Sequence, residues 1–216
     1  MCPKKTKNTI VLDYFYDLPK HVNKVGLNLS GGADSALILY SLAKISKLPD
    51  IYPIHGYDLN RKIAKSYEAV DKVVDYVRSH CPNVNIHDPH IVAFRKTADN
   101  EGTRQYLWDG VEYIRRRFGV DVFIIGATQG MPHSARPLNK GSIPQEDFVK
   151  YREQYPLSLP FVDVDKKYVA SQYKELGIEP LSLLTVSCCG DDIVPCKTCW
   201  WCQERYWAFG NYDGGY

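Results

Sequence analysis

The stretch Val25-Gly26-Leu27-Asn28-Leu29-Ser30-Gly31-Gly32-Ala33-Asp34-Ser35-Ala36-Leu37-Ile38-Leu39 decides the fold. Its first five residues read as a buried strand. Ser35 to Ser46 read as a helix, with Leu37, Ile38, Ser41, Leu42 and Ile45 on one face. Between them lies Ser-Gly-Gly-Ala-Asp-Ser. Two glycines let the backbone turn sharply and bring its N–H groups close to a ligand. The helix that follows aims its free N–H groups and positive dipole end at the same place. Ser30 and Ser35 add hydroxyl donors for phosphate oxygens. Asp34 is a poor neighbour for phosphate on charge grounds unless a cation bridges them, which implies Mg²⁺. The bland alternative is a glycine-rich turn with Asp34 or Ser35 capping the helix. The sequence holds no Gly-x-x-x-x-Gly-Lys-[Ser/Thr], so the loop is not of the kinase type.

Working outward, strand and helix patterns alternate. Ile51 to His55 is a second strand candidate. Arg61 to Ser79 is an amphipathic helix that stops before Pro82, and Val84–Ile86 or His90–Val92 holds a short third strand. Thr103 to Phe118 reads as a helix closed by Gly119. Val120 to Gly126 is the most β-like run, and Asp165 to Leu176 is a last helix, stopped by Gly177. This order predicts an α/β fold with a mainly parallel, Rossmann-like sheet covered by helices on both faces. Ligands then sit beyond the C-terminal strand ends, where Ser30–Ser35 lie.

The chain has 216 residues, 44% of them hydrophobic, which suits one domain over 1–216. A net charge of +2 gives no global argument for nucleic acid or a membrane surface. No window approaches the ~20 apolar residues of a spanning helix, and a cytoplasmic protein is expected. Cysteine usage agrees: of seven cysteines, five fall between Cys188 and Cys202. Such a cluster reads as a metal site rather than a disulfide scaffold. Cys196-x-x-Cys199-x-x-Cys202 supplies three thiolates, and Cys188 or Cys189 the fourth. Four thiolates suit a closed, tetrahedral Zn²⁺ site, and also an iron–sulfur cluster. A C-terminal metal module over 184–209 follows.

Ser30, Gly31, Gly32, Ala33, Asp34 and Ser35 resemble the signature of the PP-loop, or N-type, ATP pyrophosphatases. The resemblance implies an adenine nucleotide α-hydrolase-like fold, ATP bound by this loop and cleaved to AMP and pyrophosphate, and Asp34 near Mg²⁺. It narrows further along the chain. Leu183-Leu184-Thr185-Val186-Ser187-Cys188 with Cys196, Cys199, Cys202 and Arg205 is similar to the zinc motif of the 7-cyano-7-deazaguanine synthase family, which makes queuosine precursors. That likeness favours Cys188 as fourth ligand. Pro160 to Lys166 resembles the family's segment before its last helix and makes Lys166 a candidate phosphate contact; the alternative is a solvated lysine at a helix start. Val122 to Ala127 resembles the family's strand ending in glycine. The implied reaction joins ammonia to a deazapurine carboxylate, a small-molecule substrate, giving an amide and then a nitrile. Asp34, Lys166 and Arg104 or Arg136 are the implied charge-neutralising groups.

The family's acceptor motif, an Asn and Asp followed by Tyr-Pro-Asp-Cys, is replaced by Thr128-Gln129-Gly130-Met131-Pro132-His133-Ser134-Ala135-Arg136. The acceptor is therefore expected to differ or to be held differently, for instance in RNA thiolation or nucleobase chemistry on DNA; the remaining alternative is a nucleotide-binding module without catalysis. His133 is a solvated loop residue or an acid/base group. Arg115-Arg116-Arg117 reads as a solvated helix face. Trp200, Trp201, Tyr206, Trp207 and Phe209 either pack the metal module on the core or form the patch of an expected homodimer.

Overall fold

The computed structural model describes residues 21–45, 49–60, 65–95, 101–132, 156–190, 192 and 194–215, with the backbone only for 101–104. Five strands form one parallel sheet: β1 (Lys24–Asn28), β2 (Asp50–Asp58), β3 (His90–Phe94), β4 (Val122–Ile124) and β5 (Leu157–Ser158), in the order β3-β2-β1-β4-β5. The helices are α1 (Ala33–Leu42), α2 (Lys65–His80), α3 (Glu101–Phe118), α4 (Lys166–Glu175), α5 (Glu179–Leu183) and α6 (Trp200–Phe209), before a 3-10 turn at Asp213–Gly215.

Side chains alternate across the strands and build a core on each face. Val25, Leu27, Ile51 and Ile124 meet α1, α2 and α4 on one side. Tyr52, Ile54, Phe123 and Ile125 meet Leu107, Val111 and Ile114 of α3 on the other. Helices therefore cover both faces, as the continuous apolar strands predict. Gly26 is required by this packing: a Cβ there would lie 2.4 Å from the Phe123 ring.

The chain runs outward from β1 through β2 to β3, then returns to place β4 on the other flank of β1. That reversal is a topological switch point at the ends of β1 and β4, the usual ligand position in such sheets. The Ser30–Ser35 loop leaves β1 at this switch point.

Several boundaries differ from the sequence reading. The third strand is His90–Phe94, while Ile86 makes a single bridge to Ile51. The β4 strand has three residues rather than seven, because only Val122–Ile124 has a partner in β1. Three elements are not read from the sequence: the two-residue β5, the one-turn α5, and α6, whose cysteine- and aromatic-rich sequence hides a helix, so the helix ending before Gly177 is not the last. Gly119 and Gly177 do close α3 and α4 with positive φ. Among the described residues no helix is long and apolar enough to cross a membrane.

Candidate functional site

The loop after β1 is held in shape by its own residues. Gly31 has φ +84°, and a Cβ there would come within 2.7 Å of the Ser66 carbonyl oxygen. Both facts demand glycine. The Ser35 hydroxyl donates to the Gly32 carbonyl at 3.1 Å and accepts from the Ser30 N–H at 3.2 Å. The Gly32 N–H in turn reaches Ser30 Oγ at 3.3 Å. Gly32 is the N-cap of α1 and contributes no side chain, so no capping oxygen covers the first N–H groups of the helix.

Neighbouring elements buttress the loop from three directions. The Val186 N–H donates to the Gly31 carbonyl at 2.8 Å, and the Tyr173 hydroxyl donates to the Ala33 carbonyl at 2.7 Å. Burial, and then the nearby Asp34 charge, push the Tyr173 phenol far up, which keeps it a neutral donor. From β2, buried His55 places Nδ1 3.0 Å from the Leu29 carbonyl oxygen, and the Ser66 hydroxyl lies 3.3 Å from its Nε2. Burial lowers the His55 pKa and favours the neutral ring.

The charged residues meet at the mouth of this loop. Asp34, in the first turn of α1, forms an ion pair with Lys166, the first residue of α4. Asp165 caps α4 by accepting from the Tyr168 N–H at 3.0 Å, which fixes where Lys166 emerges. The Gln129 N–H donates to the Val164 carbonyl at 2.8 Å, tying the segment after β4 to the same place. Asp34 Oδ2 takes the lysine, while Oδ1 is buried with no hydrogen-bond partner. A bare buried carboxylate oxygen beside an uncapped helix N-terminus fits a divalent cation. Gly126 lets α1 approach β4: a Cβ there would be 3.0 Å from Asp34 Cβ.

A third charged group joins them that the sequence reading did not single out. Glu204 on α6 is buried, and its Oε2 lies 3.8 Å from Lys166 Nζ. Burial raises its pKa, Lys166 opposes the shift, and Asp34 and Asp165 add to it.

The cysteine module stands directly behind. Sγ atoms of Cys188, Cys196, Cys199 and Cys202 all lie within 4.8 Å of one another and can hold a metal ion. Cys196 and Cys202 are 4.0 Å apart, close to the ~3.8 Å that tetrahedral Zn–S bonds of ~2.3 Å imply. Backbone N–H groups already point at the sulfurs: Gly190 and Cys196 donate to Cys188 at 3.3 and 3.2 Å, and Cys199 to Cys196 at 3.3 Å. Burial raises the Cys188, Cys199 and Cys202 thiols. It opposes ionisation of Cys196 too, but N–H donors from Thr198 and Cys199 outweigh it and bring that thiol down to about 6. Cys189 is outside the cluster.

Arg205 explains why an arginine follows the ligands. It is fully buried, donates to Thr185 Oγ1 and to the Ser182 carbonyl at 2.7 Å each, and lies 3.4 Å from Asp213. Asp213 accepts from the N–H groups of Ser187 and Cys188 at 2.8 and 2.7 Å. Arg205 thus fixes Cys188 through one intermediate carboxylate, an outer-shell arrangement typical of metal centres.

Trp200 is buried, Phe209 packs edge-on against Tyr173 at 5.6 Å, and Lys167 sits 4.7 Å over the Trp207 ring. These residues pack the module onto α4. Trp201 and Tyr206 are exposed. Arg104 lies in the first turn of α3, and its side chain lies outside the described residues, as do His133 and Arg136.

No family model and no curated protein sequence matches this chain. Solved structures do match, each with TM-score 0.52: a 4-thiouridine synthetase–RNA complex with bound ATP at 17% identity, NMN synthetase from Francisella tularensis at 10%, and a U34-tRNA thiolase from Methanococcus maripaludis with its [4Fe-4S] cluster at 14%. The matches cover 74%, 93% and 80% of this chain, respectively. The chain spans 42%, 84% and 63% of those structures. At this identity the likeness establishes the fold alone, a Rossmann-like parallel sheet covered by helices.

Proposed function

We propose that this protein is an ATP-dependent adenylating enzyme of the 7-cyano-7-deazaguanine synthase type, converting a 7-carboxy-7-deazaguanine-like acid and ammonia to the amide or nitrile. The observation that carries the reading is the Asp34 carboxylate at the mouth of the Ser30–Ser35 loop, with one oxygen on Lys166 and the other bare. Mg²⁺ held by Asp34 would neutralise charge on the phosphates of ATP. Lys166 and the loop N–H groups are left to orient the leaving pyrophosphate.

A substrate carboxylate oxygen attacks the α-phosphorus, the bond to the β-phosphate breaks, and pyrophosphate leaves. Ammonia attacks the acyl carbon of the resulting adenylate, loses a proton and expels AMP, leaving an amide. A nitrile requires a second ATP: the amide oxygen takes AMP as before, nitrogen loses its two protons, and AMP departs with the oxygen. No covalent enzyme nucleophile is needed.

Zn²⁺ is the metal we assign to the cysteine module. Its thiolates are spaced for one ion, whereas a multi-iron cluster inserts iron and sulfide between them and needs them farther apart. A zinc ion enclosed by four cysteines is structural, so Cys188, Cys196, Cys199 and Cys202 hold the module together rather than touch substrate.

A second reading, RNA thiolation, is favoured by the fold likeness to a 4-thiouridine synthetase and a U34-tRNA thiolase. Pyrophosphate release with ATP, Mg²⁺, ammonium and 7-carboxy-7-deazaguanine separates the two. Release that depends on the deazaguanine acid is the expected result. Release that depends instead on tRNA and a sulfur donor assigns the thiolation chemistry.

A further inference from the structure

Lys166 is a buried ammonium with two carboxylates beside it on different elements, Glu204 buried and Asp34 partly buried. One carboxylate suffices to neutralise it. The second leaves a surplus negative charge in a poorly solvated place, a costly arrangement unless a cation arrives. Asp34 is in direct contact and belongs to the loop helix; Glu204 waits at 3.8 Å and belongs to the cysteine module. If Asp34 turned to a cation with no Glu204 present, Lys166 would lose its counter-charge in the interior. With Glu204 present, a small movement of the flexible lysine exchanges one carboxylate for the other.

We propose that Glu204 is a positioning residue of the nucleotide site: it takes over the Lys166 ammonium when Asp34 gives its carboxylate to the cation that accompanies ATP. This inference rests on the reading of Ser30–Ser35 as an ATP loop. It gives the cysteine module a role beyond stability, since α6 is anchored by Cys199 at its N-cap and Cys202 in its first turn, two residues before Glu204. Glu204 touches no reacting atom and acts through Lys166 and Asp34.

The cation dependence of nucleotide affinity tests it without turnover. Binding of α,β-methylene-ATP to the metal-loaded full chain is measured by calorimetry with Mg²⁺ and with a magnesium chelator, for wild type, Glu204→Gln and Glu204→Leu. The apolar leucine serves as a second charge removal should the glutamine variant fold poorly. Metal content and melting temperature are recorded for each. The expected result is that the gain in affinity on adding Mg²⁺ shrinks about tenfold in both variants, while Glu204→Asp, which keeps the charge, recovers part of it. An unchanged Mg²⁺ gain, within about twofold of wild type, overturns the proposal and leaves the ATP loop standing. Equal loss of affinity with and without Mg²⁺ also overturns it, since it reveals a merely structural role. A wild-type protein that binds no nucleotide in either condition overturns the ATP reading and this proposal with it.

Discussion

The Ser30–Ser35 loop and the Cys188–Cys202 cluster both gather their groups where an irregular segment runs into a helix, yet they are organised in opposite ways. The loop uses backbone geometry. Its shape comes from Gly31 at positive φ, from serine hydroxyls that bond within the loop, and from the Tyr173 and Val186 donors that pin its carbonyls. The cluster uses side-chain chemistry: four thiols, three of them resisting ionisation through burial, gathered by N–H donors that suit thiolates. The loop is therefore held in shape by the chain itself. The cluster is complete only when a cation makes all four thiolates favourable. Damage to the cluster should cost stability, and damage to the loop should cost binding.

The largest effect is expected at the cluster. Cys196→Ser should abolish stoichiometric metal binding and destabilise the protein by on the order of 4–5 kcal/mol, read by metal analysis and denaturant unfolding. Cys189→Ser, outside the cluster, should retain the metal and stay within about 1 kcal/mol of wild type. Equal losses in the two variants would break the distinction between ligand and neighbour.

Arg205→Leu comes next. It strands Asp213, which is buried and holds the backbone of Ser187 and Cys188. A cost of about 3–5 kcal/mol is expected in urea unfolding, with weaker metal retention against a chelator. Unaltered metal retention would detach Arg205 from the metal centre.

At the loop, Gly31→Ala places a side chain at φ +84° against the Ser66 carbonyl. The backbone strain is worth about 1–2 kcal/mol, a smaller loss of stability than at the cluster. Nucleotide binding should nevertheless disappear with the metal content intact. Retained binding by calorimetry would show that the loop tolerates a different path.

The smallest effect concerns His55 beneath the loop. Burial holds its folded pKa below the ordinary 6.5, so the unfolded chain takes up protons first as pH falls. The stability of the neutral ring is fully present above 6.5 and is lost as pH drops from there through the folded value. The melting temperature of His55→Gln should fall less steeply over that window than wild type. Parallel curves would mean that His55 does not titrate on unfolding.

Sequence reasoning reached the two regions unequally. The glycine loop was legible because its signals are local: an apolar strand, two glycines, a polar run, then a helix. The cysteine ligands were legible by spacing, but the choice between Cys188 and Cys189 needed either a family likeness or the fold. Glu204 was illegible because its importance arises from α4 and α6 packing side by side, across 38 residues of chain from Lys166. Residue type alone assigns a glutamate to solvent. Asp213 and Tyr173 escaped for the same reason, since their partners are 25 and 140 residues distant. The short β5 had no pattern long enough to read.

The measurement that bears most directly on the account is the fate of the α-phosphate of ATP. With Mg²⁺ and the productive acceptor, α-labelled ATP should appear as AMP in wild type, with pyrophosphate in equal amount, and Asp34→Asn should lower the rate at least about a hundredfold. Labelled ADP in place of AMP, or an undiminished rate in Asp34→Asn, would contradict the assignment of Ser30–Ser35 as a pyrophosphate-releasing ATP loop.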